Sequence, residues 1–208
     1  MPGTSRNTKL IATDMEYNSR DYTLHFIDTE TTGLDPRMHE IISFGLVRAK
    51  HITDDVGNSR FEILDEREIL LKPENLGNAD PTALKINGYA PERWTGALSQ
   101  IDGMNQIRDM LTELDEQDQK VNRVIIAGHN VQFDLAFIQG ACWREDIKYH
   151  LPRHVFDTYS LSHHMLTLKS YSLARLCEHF NIVNKDAHSA LSDARASLEV
   201  YKKLCQIR

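Results

Sequence analysis

The stretch "HFIDTETTGLDP" (His25–Pro36) begins as an apolar strand, yet it carries two carboxylates, Asp28 and Glu30, two residues apart. Alternate side chains of a strand point to one face, so Asp28 and Glu30 are predicted to lie side by side. Two charges about 4 Å apart repel by roughly 4 kcal/mol at an effective dielectric near 20. A solvated strand end is one explanation of this pair. A bound divalent cation is the other, and carboxylate oxygens suit Mg²⁺ or Mn²⁺.

The chain around this stretch predicts a mixed sheet with helices packed against it. Three strands come first and strands then alternate with helices, which indicates an α/β fold. The third strand is predicted to be broken into a hairpin by the charges at Asp65–Arg67. The predicted strands are YTLHFID (22–28), EIISFGLVRA (40–49), FEILDEREILLKP (61–73), RVIIAGHN (123–130) and HVFDT (154–158). The predicted helices lie within 80–89 and at about 96–114, 131–149, 158–168, 172–180 and 189–207.

Composition and charge limit the class of protein. A chain of 208 residues with 41% hydrophobic residues is long enough for one domain with a sizeable core. We expect a flexible arm at 1–20 and one folded domain at 21–208. No apolar run approaches the roughly 18 residues of a membrane span, so we expect a cytoplasmic protein without membrane contact. The net charge of −6 argues against a protein that tracks long duplexes, although an acidic metal pocket would account for part of it.

Two further aspartates and a histidine lie in segments that are far apart in the sequence. A metal site could bring them together. "GHNVQFDLAFI" (128–138) places Asp134 in the first turn of a helix, where the helix dipole alone would also explain an aspartate. "HSALSDARA" (188–196) places Asp193 on the last helix, away from the core-facing residues of that helix. Residues five apart do not share a helical face, so His188 meets Asp193 only if it projects from before the helix.

Together with "FIDTETTGL" (26–34), these two segments resemble the three motifs of the DEDDh 3′→5′ exonucleases. That group includes the proofreading subunit of bacterial replicative DNA polymerase and ribonuclease T, and the resemblance covers about 22–204. It implies a ribonuclease H-like fold, a five-stranded mixed sheet flanked by helices. It also implies that His188 is the general base and that four carboxylates bind two divalent ions, Mg²⁺ or Mn²⁺. These carboxylates are Asp28, Glu30, Asp134 and Asp193.

The activity that the resemblance implies is hydrolysis of phosphodiester bonds at single-stranded DNA 3′ ends, with release of nucleoside 5′-monophosphates. Two dications about 3.5–4 Å apart can stabilise both the attacking and the leaving oxygen, and a histidine can accept a proton near neutral pH. DNA is favoured over RNA, but an RNA 3′-end-trimming enzyme stays open because the sequence does not display the surroundings of a 2′-hydroxyl. A proofreading role as a DNA polymerase subunit stays open as well. The alternative from another class is a non-catalytic module that binds nucleic acid or a polymerase.

Residues beside the motifs are predicted to contact the terminal nucleotide. The backbone amides of Thr31 and Thr32 can cradle it, and Leu34 can wedge against terminal bases unless it packs in the core. "INGY" (86–89) resembles the loop that lines the nucleotide pocket of the family. The remaining candidates lie beside Asp134 and are His129, Asn130 and Phe133. Asn130 has an alternative role as the N-cap of the helix.

Overall fold

The described residues form a five-stranded mixed sheet with helices on both of its faces, as predicted. The computed structural model describes residues 22–54, 56–112, 125–151 and 154–207, so the arm expected at 1–20 lies outside the described residues. The strands are β1 (Tyr22–Thr31), β2 (Ile41–Thr53), β3 (Ser59–Leu70), β4 (Ile125–Gly128) and β5 (Val155–Asp157). The helices are α1 (Pro81–Ile86), α2 (Gln100–Thr112), α3 (Gln132–Arg144), α4 (Thr158–Met165), α5 (Leu173–Phe180) and α6 (Ala190–Leu204).

The strand order brings three strand ends together. The order across the sheet is β3-β2-β1-β4-β5. β1 pairs antiparallel with β2, and β2 with β3, whereas β1 pairs parallel with β4, and β4 with β5. The carboxyl ends of β1, β4 and β5 therefore meet at one edge of the sheet. Ligand sites of α/β sheets form outside such carboxyl ends.

The two faces of β1 pack against different helices. Ile27 belongs to a buried cluster with side chains of α2 and α3, whereas its neighbour Phe26 packs with Leu198 and Tyr201 of α6 on the opposite face. α4 and α5 cover the outer side of α6. Burial of each large apolar side chain contributes roughly 1.5–3 kcal/mol, so these contacts fix the helices on the sheet.

The hairpin predicted at Asp65–Arg67 is wrong, because β3 continues through these residues. The register between β2 and β3 shifts between Arg48 and Ala49 of β2. β3 therefore has a bulge opposite these residues instead of a turn. β3 is an edge strand of the sheet, and charged side chains are common on edges because they oppose pairing with other chains. The chain turns instead between β2 and β3, where Asp54 Oδ1 accepts a 2.7 Å hydrogen bond from the backbone of Asn58.

Some helices are shorter than predicted. The helix expected at 131–149 ends at Arg144, because Asp146 adopts a left-handed φ of 53° and Ile147 N turns back to Cys142 O. α1 ends at Ile86, within the predicted range 80–89, and Gly88 just beyond it has a φ of 64°. No helix among the described residues combines the length and apolar character that crossing a bilayer requires.

Candidate active site

The end of β1 presents two carboxylates on one face, as the sequence predicts. Asp28 and Glu30 both lie within β1, in alternation with Thr29 between them. Because alternate side chains share a face, the two carboxylates lie on the α6 side of the sheet with Phe26. Thr29 points to the other face, where its Oγ1 donates a 2.7 Å hydrogen bond to Asp134 Oδ1.

Asp134 reaches the same region from α3. The helix begins at Gln132, just beyond the end of β4, and Asp134 lies in its first turn. Its side chain is 3% exposed, and the hydroxyl of Thr29 holds it. An aspartate that served only the helix dipole would not need this burial, since that interaction is available at an exposed helix end.

The start of α6 supplies Asp193 and His188. His188 precedes the helix with a left-handed φ of 68°, and its backbone N–H donates a 3.2 Å hydrogen bond to Asp193 Oδ2. Ligand atoms of Glu30, His188 and Asp193 all lie within 4.8 Å of one another. The predicted approach of His188 from the loop before the helix is therefore confirmed.

Burial raises the pKa values of all four carboxyl groups, and repulsion from the other carboxylates adds to the increase for Asp28 and Glu30. Desolvation and the charges of Asp134, Asp193 and Glu30 raise the pKa of Asp28 well above its usual range. Desolvation and then Asp193 and Asp134 raise the pKa of Glu30 to about 8. Desolvation also raises the pKa of Asp134 to about 7, although the hydrogen bond from Thr29 opposes the increase. The pKa of Asp193 is raised by burial against an opposing hydrogen bond from Asn184. The four carboxylates thus interact as one electrostatic cluster.

This cluster fits divalent cations. All four carboxyl groups offer hard oxygen donors, and their raised pKa values show that the metal-free protein disfavours their common ionisation. A dication reverses the sign of that interaction, and carboxylate oxygens are ligands that Mg²⁺ and Mn²⁺ prefer. The residues that could hold the cations are Asp28, Glu30, Asp134 and Asp193.

The three predicted contact residues of the loop after β1 differ in exposure and in hydrogen bonding. Leu34 is 77% exposed, which excludes the alternative that it packs in the core. Thr31 is buried, and its hydroxyl donates to Gly33 O at 2.7 Å. The amide of Thr32 donates to Glu40 O, and its hydroxyl accepts from Glu40 N. The prediction that the Thr32 amide cradles a nucleotide is corrected accordingly: Thr32 holds the loop to the segment before β2.

The three predicted contact residues after β4 have different surroundings. Nδ1 of His129 hydrogen bonds with Thr158 Oγ1 at 3.0 Å, and its ring also bonds with the backbone of Tyr171. Asn130 is exposed with a φ of 58° and is not the N-cap of α3, a position that Val131 occupies without a side-chain hydrogen bond. Phe133 packs partly buried against the α2–α3 core.

Three polar residues that support the site were not predicted from the sequence. Thr29 orients Asp134, and Asn184 donates a short hydrogen bond to Asp193 while it accepts one from Ser192 Oγ. Asn87 Nδ2 donates to Thr31 O at 2.9 Å and joins the INGY loop to the end of β1. The alternation of β1 shows that Thr29 faces away from Asp28. No signal in the sequence connects Asn184 to a helix nine residues further along.

Comparisons with known proteins agree with this geometry. The chain is 30% identical over 190 residues to ribonuclease T of Haemophilus influenzae, covering 88% of this chain and 79% of that protein. It is 29% identical over 192 residues to the PolC-type DNA polymerase III of Thermotoga maritima, covering 90% of this chain but only 12% of the polymerase. Escherichia coli exonuclease I in complex with a dT13 oligonucleotide superposes with a TM-score of 0.68 at 19% identity, covering 89% of this chain and 41% of that chain.

A second solved structure, exonuclease I of Methylocaldum szegediense, has a TM-score of 0.67 at 21% identity and covers 90% of this chain and 41% of that one. These superpositions confirm the ribonuclease H-like fold. A protein-family model described as an exonuclease, RNase_T, matches residues 25–201, a span that includes α3 and most of β1 and α6. The chain therefore belongs to the RNase_T family of exonucleases.

Proposed function

We propose that this chain is a metal-dependent 3′→5′ exonuclease that acts on single-stranded DNA ends and releases nucleoside 5′-monophosphates. The observation that carries the proposal is the convergence of acidic side chains from β1, α3 and α6, with His188 close to Glu30 and Asp193. Buried carboxyl groups with raised pKa values do not stabilise a metal-free fold as anions, and strongly perturbed carboxyl groups are typical of functional sites. Membership of an exonuclease family supports the same activity.

The side chains divide between metal binding and proton transfer. The four carboxylates hold two divalent cations, Mg²⁺ or Mn²⁺. When bound, such cations stabilise the charge that develops on the phosphoryl oxygens. His188, exposed and close to Glu30 and Asp193, accepts the proton of the attacking water. The water oxygen bonds to phosphorus as the bond from phosphorus to O3′ of the preceding nucleotide breaks, and O3′ takes a proton from solvent.

The terminal nucleotide rests on the loop after β1 and the loop after α1. Leu34 presents a largely exposed apolar side chain beside the carboxylates, which suits contact with a base. Asn87 connects the INGY loop to Thr31, so the two loops form one wall. An apolar contact that reads no base edges accepts any base, as a general exonuclease requires.

RNA 3′-end trimming is the second candidate function. Its support is that the ribonuclease T relatives match over most of their length, 79% for the Haemophilus influenzae protein, whereas the polymerase matches over 12%. DNA remains our first choice, because the PolC-type relatives are DNA polymerases by name and the superposed exonuclease I carries a DNA oligonucleotide. For a proofreading role we propose a DNA polymerase as partner and the cytoplasm as location.

Matched digestion of DNA and RNA tests the proposal. 5′-labelled oligonucleotides of the same sequence should shorten stepwise from the 3′ end in Mg²⁺ or Mn²⁺ and stay intact in EDTA. Faster shortening of the DNA supports the first candidate, and faster shortening of the RNA supports the second. If neither strand shortens although the protein binds Mn²⁺, both candidates are wrong and a non-catalytic binding module is favoured.

A further inference from the structure

A concave region lies between α4 and the start of α5. It has a volume of about 860 Å³ and is open to solvent. His129 and Asn130 of its lining directly follow β4, and α4 directly follows β5. The region therefore lies at the same edge of the sheet as the carboxylates at the end of β1.

Aromatic rings form one wall of this cavity. The ring centroids of Tyr159 and His163 are 4.8 Å apart, and His163 stacks on Tyr171 at 3.7 Å with an interplanar angle of 29°. The hydroxyl of Tyr171 donates to Leu166 O at 2.9 Å and accepts from Leu168 N at 3.1 Å. Tyr171 is thus fixed before any ligand binds, while Tyr159 remains 39% exposed. A fixed aromatic wall with an exposed ring is suited to stacking on a planar ligand.

The charge of the cavity favours an anion. Lys169 is exposed at its rim, and none of the described residues that line the cavity is acidic. Among the described residues no carboxylate forms an ion pair with Lys169. Asp157 lies next to this lining, but its carboxylate accepts hydrogen bonds from the backbone N–H groups of Asn130 and Tyr159 and from Ser160 Oγ. A ligand with both a planar ring and a phosphate would use the aromatic wall and Lys169 together.

We propose that this cavity binds an upstream nucleotide of the single strand whose 3′ end enters the carboxylate cluster, with its base on Tyr159 and its phosphate on Lys169. The inference rests on the proposed function, because it takes the strand to end at Asp28 and Glu30. Aromatic stacking combined with a cationic contact is how proteins hold single strands without reading their sequence. The cavity would thereby hold a strand in place between successive cleavages.

Binding without cleavage tests the cavity directly. Fluorescence anisotropy of 5′-fluorescein oligothymidylates of increasing length, in EDTA, should show about tenfold weaker binding for Tyr159→Ala, since stacking of one base contributes a factor of this order. Lys169→Ala should weaken binding and lower the slope of log K against log salt by about 0.7, the value for one phosphate of a single strand. Tyr159→Ala should leave that slope unchanged. Trp143→Ala and Lys203→Ala, exposed residues at the far ends of α3 and α6, are the matched controls and should bind as the wild type does.

Cleavage of a short substrate separates the cavity from the active site. The nitrophenyl ester of thymidine 5′-monophosphate fills only the terminal position, so both cavity variants should hydrolyse it at the wild-type rate while kcat/KM for oligonucleotides falls about tenfold. Equal losses on both substrates, or wild-type binding and cleavage by both variants, would overturn the cavity proposal. If the wild type cleaves neither substrate, the proposed function fails, and the anisotropy series in EDTA still decides whether the cavity binds the strand.

Discussion

At the scale of single residues, Asp28 is strongly disfavoured as an anion, because burial and three other acidic groups act on it together. Asp28→Asn keeps the shape of the side chain and removes its charge. Loss of a residue that only supports a metal ligand typically lowers activity about 10–100-fold. Because we propose that Asp28 binds the cation itself, we expect activity to fall by more than about a hundredfold. In EDTA the variant should be more stable by roughly 1 kcal/mol, or about 2–4 °C in Tm, since repulsion is relieved.

Differential scanning calorimetry in EDTA and the oligonucleotide assay measure these two effects. The matched control is Asp146→Asn, since Asp146 is exposed at the far end of α3 and its φ of 53° suits asparagine. A metal-free Asp28→Asn protein that melts below the wild type would show that the Asp28 carboxylate stabilises the fold by itself.

His188 is the residue whose role depends most on its backbone. Its φ of 68° is one that asparagine tolerates and alanine adopts with strain, so His188→Asn removes the imidazole and preserves the loop. We expect kcat to fall about 10²–10⁴-fold, the range for loss of a general base. Mn²⁺ binding, measured by calorimetric titration, should be largely retained in His188→Asn and also in His188→Ala. The control His164→Asn lies on the exposed surface of α4 and should have wild-type activity. Near-normal rates for His188→Asn would mean that another group accepts the proton.

At the scale of secondary-structure elements, the position of α6 depends on one glycine of β2. A Cβ atom at Gly45 would lie 2.3 Å from the backbone carbon of Ala190, the first residue of α6. Gly45→Ala must therefore displace the helix start that carries Asp193. We expect a loss of about 1–3 kcal/mol in the free energy of unfolding, typical of overpacking, together with reduced activity.

Urea unfolding and the oligonucleotide assay test this displacement against Gly77→Ala. Gly77 has its nearest neighbour at 3.8 Å, on the Asn75 side chain, so an added methyl group meets no close contact there. Gly45→Ala with the stability and activity of Gly77→Ala would show that α6 is not held by close contact with β2.

Elements with an apolar pattern were predictable from the sequence, and those defined by distant contacts were not. β1 and α6 followed from the alternation around Phe26 and from the core-facing side of the last helix. The charges at Asp65–Arg67 were misread because an exposed edge strand and a turn both carry polar residues. The positions of Asp28 and Asp193 followed from motifs, whereas the partner of the Thr32 amide lies eight residues away in a loop and leaves no local pattern.

At the scale of the whole molecule, the raised carboxyl pKa values predict how stability depends on pH. In the folded metal-free protein Glu30 titrates at about 8 and Asp134 at about 7, above the 4.5 and 3.8 of the unfolded chain. Between these limits the folded state binds more protons than the unfolded state, so the free energy of unfolding falls as pH rises. The loss begins near pH 4 and is complete only above about pH 8, where the cluster is ionised.

Urea titrations in EDTA at several pH values should therefore show stability falling by about 1–3 kcal/mol between pH 5 and pH 8. In saturating Mn²⁺ the fall should disappear or reverse, because a cation binds the ionised carboxylates and stabilises the folded state. Parallel curves with and without Mn²⁺ would contradict a metal site at this cluster.

The alternation of β1 has a consequence for motion. Asp28 and Glu30 face α6, while Thr29 between them holds Asp134 on the α3 side, so a cation shared by these groups would bridge layers that the sheet otherwise separates. Amide hydrogen exchange should then slow in the first turns of α3 and α6 to the same extent as Mn²⁺ is added. Valine cannot donate a hydrogen bond to Asp134. In Thr29→Val the slowing of exchange by Mn²⁺ should therefore be lost in α3 and kept in α6. One hydroxyl group on the reverse face of a strand would thus determine whether the two halves of the protein open together or separately.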